Sequence, residues 1–236
     1  MRSFWIALVA LITLIATSCG EDVADVAGGV TSENEFFEYF YPYDTVAKVY
    51  QYRNISNGLE EQFHRVFGIN DSQGQHIVVE VYTDDWRLLE AINYNVDSLN
   101  VIDHMVVDKD QENNQAMLSA NQLIPMDRKN SSEFASNFPG IMDSTFFLQY
   151  IKRSFDSEME LDVMGSPTKA VKFNEEVVLK LYNPFNQTED AREGSGVRYF
   201  AKGFGLTEWH DTQKLAHYRL EKILSQNEFV NLMDAR

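Results

Sequence analysis

From residue 46 onward the chain repeatedly alternates apolar and polar residues over a short stretch, then breaks at a turn signal. Alternation at period two puts successive side chains on opposite faces of a strand. Links of only a few residues can join antiparallel neighbours but cannot make the crossover that parallel strands need. The rhythm therefore predicts an antiparallel meander. Strands are expected over residues 46–53, 61–69, 76–82, 88–95, 101–107 and 115–124. Asn57-Gly58, the polar run 70–74, Asp84-Asp85 and the polar run 108–114 supply the turns between them. Further strands are expected over 160–164, 169–173, 177–182, 197–201, 206–210 and 216–224. Residues 183–196 read as a polar loop and 211–214 as the last turn.

Two segments depart from this rhythm. Over 142–155, Phe146, Phe147, Tyr150 and Ile151 fall on one face at helical spacing, with Lys152 and Arg153 turned outward. Pro139-Gly140 precedes the segment, and Asp143 or Ser144 could cap it. A helix is predicted there, and a short frayed one at 228–236. The expected fold class is α+β: a curved antiparallel sheet, a half-barrel-like meander, with one principal helix on its concave face. The expected division is 1–18 export segment, 19–34 tether, 35–227 single domain and 228–236 tail. Ahead of the strands stand Phe36, Phe37, Tyr39, Phe40, Tyr41 and Tyr43. These aromatics form either a core strand or an exposed docking patch.

At the N-terminus, Arg2 precedes an almost wholly apolar run over 4–17, then Ser18, Cys19 and Gly20. The run is too short to span about 30 Å of hydrocarbon as a helix and fits an export signal. Ala16-Thr17-Ser18-Cys19 resembles the lipobox of bacterial lipoproteins, with Ala16 where that pattern favours leucine. The resemblance implies cleavage before Cys19 and two acyl chains on it, enough for stable anchoring. Cys19 is the only cysteine, so an internal disulfide and any zinc site of two or more cysteines are excluded. The expected location is the cell envelope, lipid-anchored, with the outer membrane favoured and its face left open. Lipid on Cys19 is expected to be needed for membrane association and not for folding.

The formal net charge is -16, and Arg2 is the only charge ahead of Cys19. A surface this acidic repels phosphate backbones and anionic head groups, so nucleic acid is not an expected partner. No Gly-x-Ser-x-Gly, His-Glu-x-x-His, phosphate loop or dinucleotide fingerprint is present. Residues 108–119 fail as a calcium loop, with Asn113 where glycine and Ser119 where glutamate would be required. Asp84-Asp85 beside Trp86 reads as a turn. His64 and His76 could be neighbours across the 70–74 turn, but hydrogen-bonded strand histidines are the plainer account. No metal, no cofactor and no enzymatic activity are expected.

Tyr199-Phe200-Ala201-Lys202-Gly203-Phe204-Gly205-Leu206 resembles a pattern found in exported proteins built on the half-barrel of the outer-membrane lipoprotein carriers. The resemblance implies a curved sheet wrapped around helices and an apolar cavity, and a role in holding acyl chains or escorting lipoproteins. Independently of it, Gly203 and Gly205 interrupt a strand pattern and mark a bulge or a close backbone approach. The expected function is a non-enzymatic binding module for a hydrophobic or acyl ligand. The ligand candidates are Phe63, Phe67, Phe146, Phe147, Tyr150, Phe204 and Trp209. The alternative is an assembly subunit of an envelope protein complex, and the same aromatics could simply fill a core.

Overall fold

The computed structural model describes residues 30–235, apart from 109, 141–143 and 214. The export segment and the lipidation position, Cys19, lie outside the described residues. Thirteen strands form one antiparallel sheet: β1 (Lys48–Asn54), β2 (Glu61–Asp71), β3 (Gly74–Thr83), β4 (Leu88–Asn95), β5 (Val101–Val107), β6 (Asn113–Gln115), β7 (Met117–Asn121), β8 (Ser132–Pro139), β9 (Phe146–Val163), β10 (Ser166–Asn183), β11 (Thr188–Ala201), β12 (Gly205–Asp211) and β13 (His217–Ser225). Their order is β6-β5-β4-β3-β2-β1-β13-β12-β11-β10-β9-β8-β7. A meander runs out to each side from the pairing of β1 with β13.

The two outermost strands are halves of one run, broken at Ala116. Its first half bonds to β5 and its second half to β8, and the Ala116 N–H donates to the His104 carbonyl at 2.8 Å. The sheet is thus a nearly closed barrel, closed further than a half-barrel, because one short run serves both ends. Closure removes the open edges that a flat sheet would leave to aggregate.

A nearly closed barrel needs filling. The aromatic stretch at 36–43 does this, and it is neither a strand nor an exposed patch. Phe37–Tyr39 make one 3-10 turn, and Phe36, Tyr39, Phe40 and Tyr41 are all buried. Phe36 meets Phe173 edge-on at 4.9 Å, and Phe40 meets Tyr94 at 4.9 Å. Deeper in, the Tyr41 hydroxyl lies 2.8 Å from His64 Nδ1 and 3.0 Å from the Tyr52 hydroxyl, which donates to the Leu206 carbonyl. This plug enters at the end of the barrel that carries the β4–β5, β7–β8 and β11–β12 turns, here called the base. Asn34 pins it there. Its amide donates at 3.0 Å to the carbonyls of Ser98 and Pro125, and its Oδ1 accepts from the Phe36 N–H. Asn34 is buried, so tertiary contacts begin before residue 35.

Three expectations are corrected. Among the described residues of 142–155 no helix forms; β9 begins at Phe146. The aromatics there satisfy helical spacing, but Phe147, Gln149, Ile151 and Arg153 also alternate. Gln149 and Arg153 disguise that alternation by being polar residues that face the barrel interior. Among the described residues no helix therefore lies on the concave face. The one helix among the described residues is α1 (Gln226–Asp234), started by a Ser225–Glu228 capping box. It packs on the outer face, where Phe229 joins Val49 and Phe63 in a buried cluster with Tyr82, Trp86 and Leu224 against it. Lastly, most of 183–196 is strand. β11 pairs with β10 from Thr188 to Ala201, and its first half is polar because it lies outside the core.

Candidate functional site

Two features stand out: a charged cluster inside the barrel and an apolar projection at the mouth, the end opposite the base.

The cluster is built by neighbouring strands. Phe173 of β10 is the register partner of Arg198 in β11, and Arg153 in β9 stands opposite Glu175 in β10. All three charges turn inward. Arg153 donates to Glu175 Oε2 from Nε at 3.1 Å and also from Nη2, and its Nη1 donates to the Leu123 carbonyl at 2.9 Å. Arg198 Nε donates to the same carboxylate oxygen at 2.8 Å. Burial alone would raise the Glu175 pKa, but Arg198 and Arg153 more than reverse this and hold it at about 2. Nearby His64 is pushed down to about 3, by burial first and then by Arg198, so it is neutral. Beside these groups is a cavity of about 120 Å³, lined by Arg153, Arg198, Glu90, Ile92, Tyr94 and Leu206 among others. Ligand sites for drug-sized molecules are several hundred cubic ångströms, so a long acyl chain does not fit this space.

A second polar set lies at the seam. His104 Nδ1 is 2.7 Å from Ser136 Oγ, and its Nε2 is 3.1 Å from Glu90 Oε2. The residue types are those of a hydrolase triad. Ser136 is 0 % exposed and His104 1 %, so no substrate reaches the hydroxyl. The three instead tie β4, β5 and β8 together where the barrel closes. Their separation in sequence hides them from any motif search.

At the mouth, β9, β10 and β11 run on past the core as a three-stranded projection. In β10 the run Val177-Val178-Leu179-Lys180-Leu181-Tyr182 is apolar on both faces except at Lys180. Such a run marks a strand covered on both sides. Yet no residue from 176 to 199 is buried. Phe147 and Phe138 pack against each other, tilted at 5.7 Å, beside Leu181 on the inner face. On the outer face, Phe146 and Tyr182 are cross-strand partners and are 45 % and 42 % exposed, while Phe185 at the tip is 79 % exposed. Beyond Gly196, β11 has no pairing with β12, so its outer half is an open edge studded with Glu189, Asp190, Arg192 and Glu193.

The ligand candidates from sequence divide accordingly. Phe146, Phe147 and Tyr150 all lie on β9 in the projection, Phe146 and Tyr150 on its outer face and Phe147 on its inner face. Trp209 faces the barrel interior, edge-on to Tyr52 at 4.8 Å and stacked on Tyr218 at 4.9 Å. Phe63 is on the outer face under α1, and Phe67 lies beneath the Arg65 guanidinium at 4.6 Å. Phe204 is half-buried in the β11–β12 turn. Gly203 and Gly205 both have positive φ there, +77° and +82°. His64 and His76 do not meet: their register partners are Val81 and Ile69, which puts them on opposite faces. Among the described residues no group of three or more His, Cys, Asp or Glu side chains is placed to hold a metal ion.

No family model matches the sequence, and no curated protein matches it. Two solved structures are similar in outline. One is a lipoprotein candidate from Parabacteroides distasonis, 13 % identical, covering 79 % of this chain and 98 % of its own, with a TM-score of 0.49. The other is an exported-protein candidate with a YmcC-like fold from Bacteroides fragilis, also 13 % identical, covering 79 % of this chain and 99 % of its own, with a TM-score of 0.46.

Proposed function

We propose that this protein is a lipid-anchored adaptor of the cell envelope, non-enzymatic, which binds a partner protein through the β9–β11 projection. The observation that supports this reading most directly is the mismatch in β10. Its residues 177–182 have the composition of a doubly covered strand, yet the chain by itself buries none of them. An apolar surface of this kind, rimmed by charge, is the usual mark of a protein contact.

Of the surfaces that could cover it, a partner protein fits best. A bilayer could meet the outer face but not also the inner one, where Phe138 and Phe147 line a pocket shared with Val106 and Val107 of β5. The chain also enters the domain at the base, the opposite end from the projection. A second copy would bring Glu189, Asp190 and Glu193 against their like on a chain of net charge -16. The fitting partner therefore offers an apolar segment flanked by basic residues. The acyl-carrier reading is weaker, because the aromatic plug leaves too little interior for a long chain.

A photo-crosslinking residue placed at Leu179, Tyr182 or Phe185 of the full-length lipoprotein in its native cells tests this. All three positions should give the same discrete adduct with one other protein, and the exposed control position Leu59 should not. Adducts with lipid alone, with a second copy, or with nothing would each sink the reading. So would an adduct formed equally well from Leu59.

A further inference from the structure

Inside the barrel, two guanidinium groups share one carboxylate oxygen. The Nη edge of Arg198 meets no hydrogen-bond acceptor among the described residues, and its side chain retains 26 % exposure. Arg198 lines both the inner cavity and an open groove at the mouth beside Trp209. It therefore stands at the neck between solvent and interior. Glu90 is the carboxylate on the cavity wall, 3.1 Å from His104, whereas Glu175 lines the groove. Four of the five Arg198 donors lie on that Nη edge, so it is free to take a planar acceptor in bidentate fashion.

The rest of the cavity wall says which anion. Beside Arg198 the wall carries an aliphatic part, Val79, Val81, Ile92 and Leu206, along with the rings of Phe40 and Phe134 and the polar groups of Tyr41, His64 and Gln149. About 120 Å³ equals the liquid share of roughly four waters, space for a carboxylate and a short alkyl chain. We propose that this cavity binds a short-chain monocarboxylate. The carboxylate pairs in bidentate fashion with the Nη edge of Arg198, and the alkyl end lies among Val81, Ile92 and Leu206. Inorganic anions lack the apolar part, and long acyl chains overrun so small a space. This site is independent of the projection, so either reading can fail alone.

The test is isothermal titration of the full-length lipoprotein, held in non-ionic detergent, with acetate, butyrate, octanoate, inorganic phosphate and butylamine. Butyrate should bind saturably at one site per chain, more tightly than acetate, octanoate, phosphate or butylamine. Arg198→Gln should weaken it at least tenfold. Ile92→Phe, which fills the cavity without touching the charges, should weaken it similarly with an unchanged thermal midpoint, and it decides the matter if the arginine variant does not fold. The proposal is overturned if butyrate gives no saturable heat, or if octanoate or phosphate binds as tightly. Undiminished butyrate binding in a folded Ile92→Phe protein overturns it as well.

Discussion

Glu175→Gln should cost about 3 kcal/mol of stability at neutral pH and flatten the acid limb of the stability curve. The size follows from breaking a buried ion pair from one side, which leaves its partner charge uncompensated; such losses are typically about 3–5 kcal/mol. Arg153 is the partner at risk, with a side chain only 3 % exposed. The pH dependence has a definite sign. Glu175 falls from an ordinary 4.5 to about 2 in the folded barrel, so the unfolded chain binds the proton more readily. Its stabilisation is fully present above pH 4.5 and is lost as pH falls toward 2; by linkage it is worth about 3 kcal/mol. His64 acts earlier on the same side. It is held near 3 against an ordinary 6.5, so stability should already decline below pH 6.5 as the unfolded chain takes up a proton there. Urea melts between pH 7 and 2.5 separate the two. The variant should keep the decline that starts below pH 6.5 and show a shallower one below pH 4.5, where Glu208, Asp156 and other carboxylates held low still contribute. Identical midpoints and slopes in both proteins would mean that the Arg153–Glu175–Arg198 cluster is not formed as described.

The same cluster shows why part of the fold was legible in the sequence and part was not. Where one face is apolar and the other wet, alternation is plain. The strands at 88–95 and 101–107 coincide with β4 and β5 to the residue, and 61–69 and 76–82 lie within β2 and β3. Where the barrel turns polar side chains inward, the period-two signal fades, and the aromatics of β9 mimic a helix instead. Where the sheet leaves the core, as in 188–195, backbone pairing with β10 holds the strand and the side chains report only solvent. The aromatic stretch at 36–43 announced that it would be buried or bound. Only the closure of the sheet, a property of pairings far apart in sequence, made it an internal plug. For the sites, Phe146, Phe147 and Tyr150 were marked by aromatic density, and all three lie on β9, Phe147 on the inner face and the other two on the outer. Arg153, Glu175 and Arg198 were not marked, because no local spacing brings them together.

Gly203 and Gly205 test how well the close-approach reading survives at the level of atoms. Both adopt positive φ, where a side chain is strained, so alanine at either position should cost about 1 kcal/mol on conformational grounds. The two differ in their surroundings. A Cβ at Gly203 would meet nothing within 4 Å, whereas at Gly205 it would fall 2.4 Å from Tyr41 Cδ1 and 2.9 Å from two further ring atoms. The Tyr41 ring cannot simply swing aside. Its hydroxyl is bonded to His64 and Tyr52, and its ring is held in edge-type contacts with Tyr50 and Phe40, centroids 5.0 Å and 5.3 Å away. Overpacking at a fixed ring adds about 1–3 kcal/mol. Gly205→Ala should therefore lose about 2–4 kcal/mol, a large share of the usual 5–15 or so for a whole domain, and Gly203→Ala only about 1. Thermal and urea melts of the two variants side by side decide it. Adding Tyr41→Leu should relieve part of the Gly205→Ala loss while leaving the Gly203→Ala loss untouched, since only the first pair is in contact. Equal losses at the two glycines would mean that Tyr41 does not sit against the β11–β12 turn, and the plug would then have to enter the barrel differently.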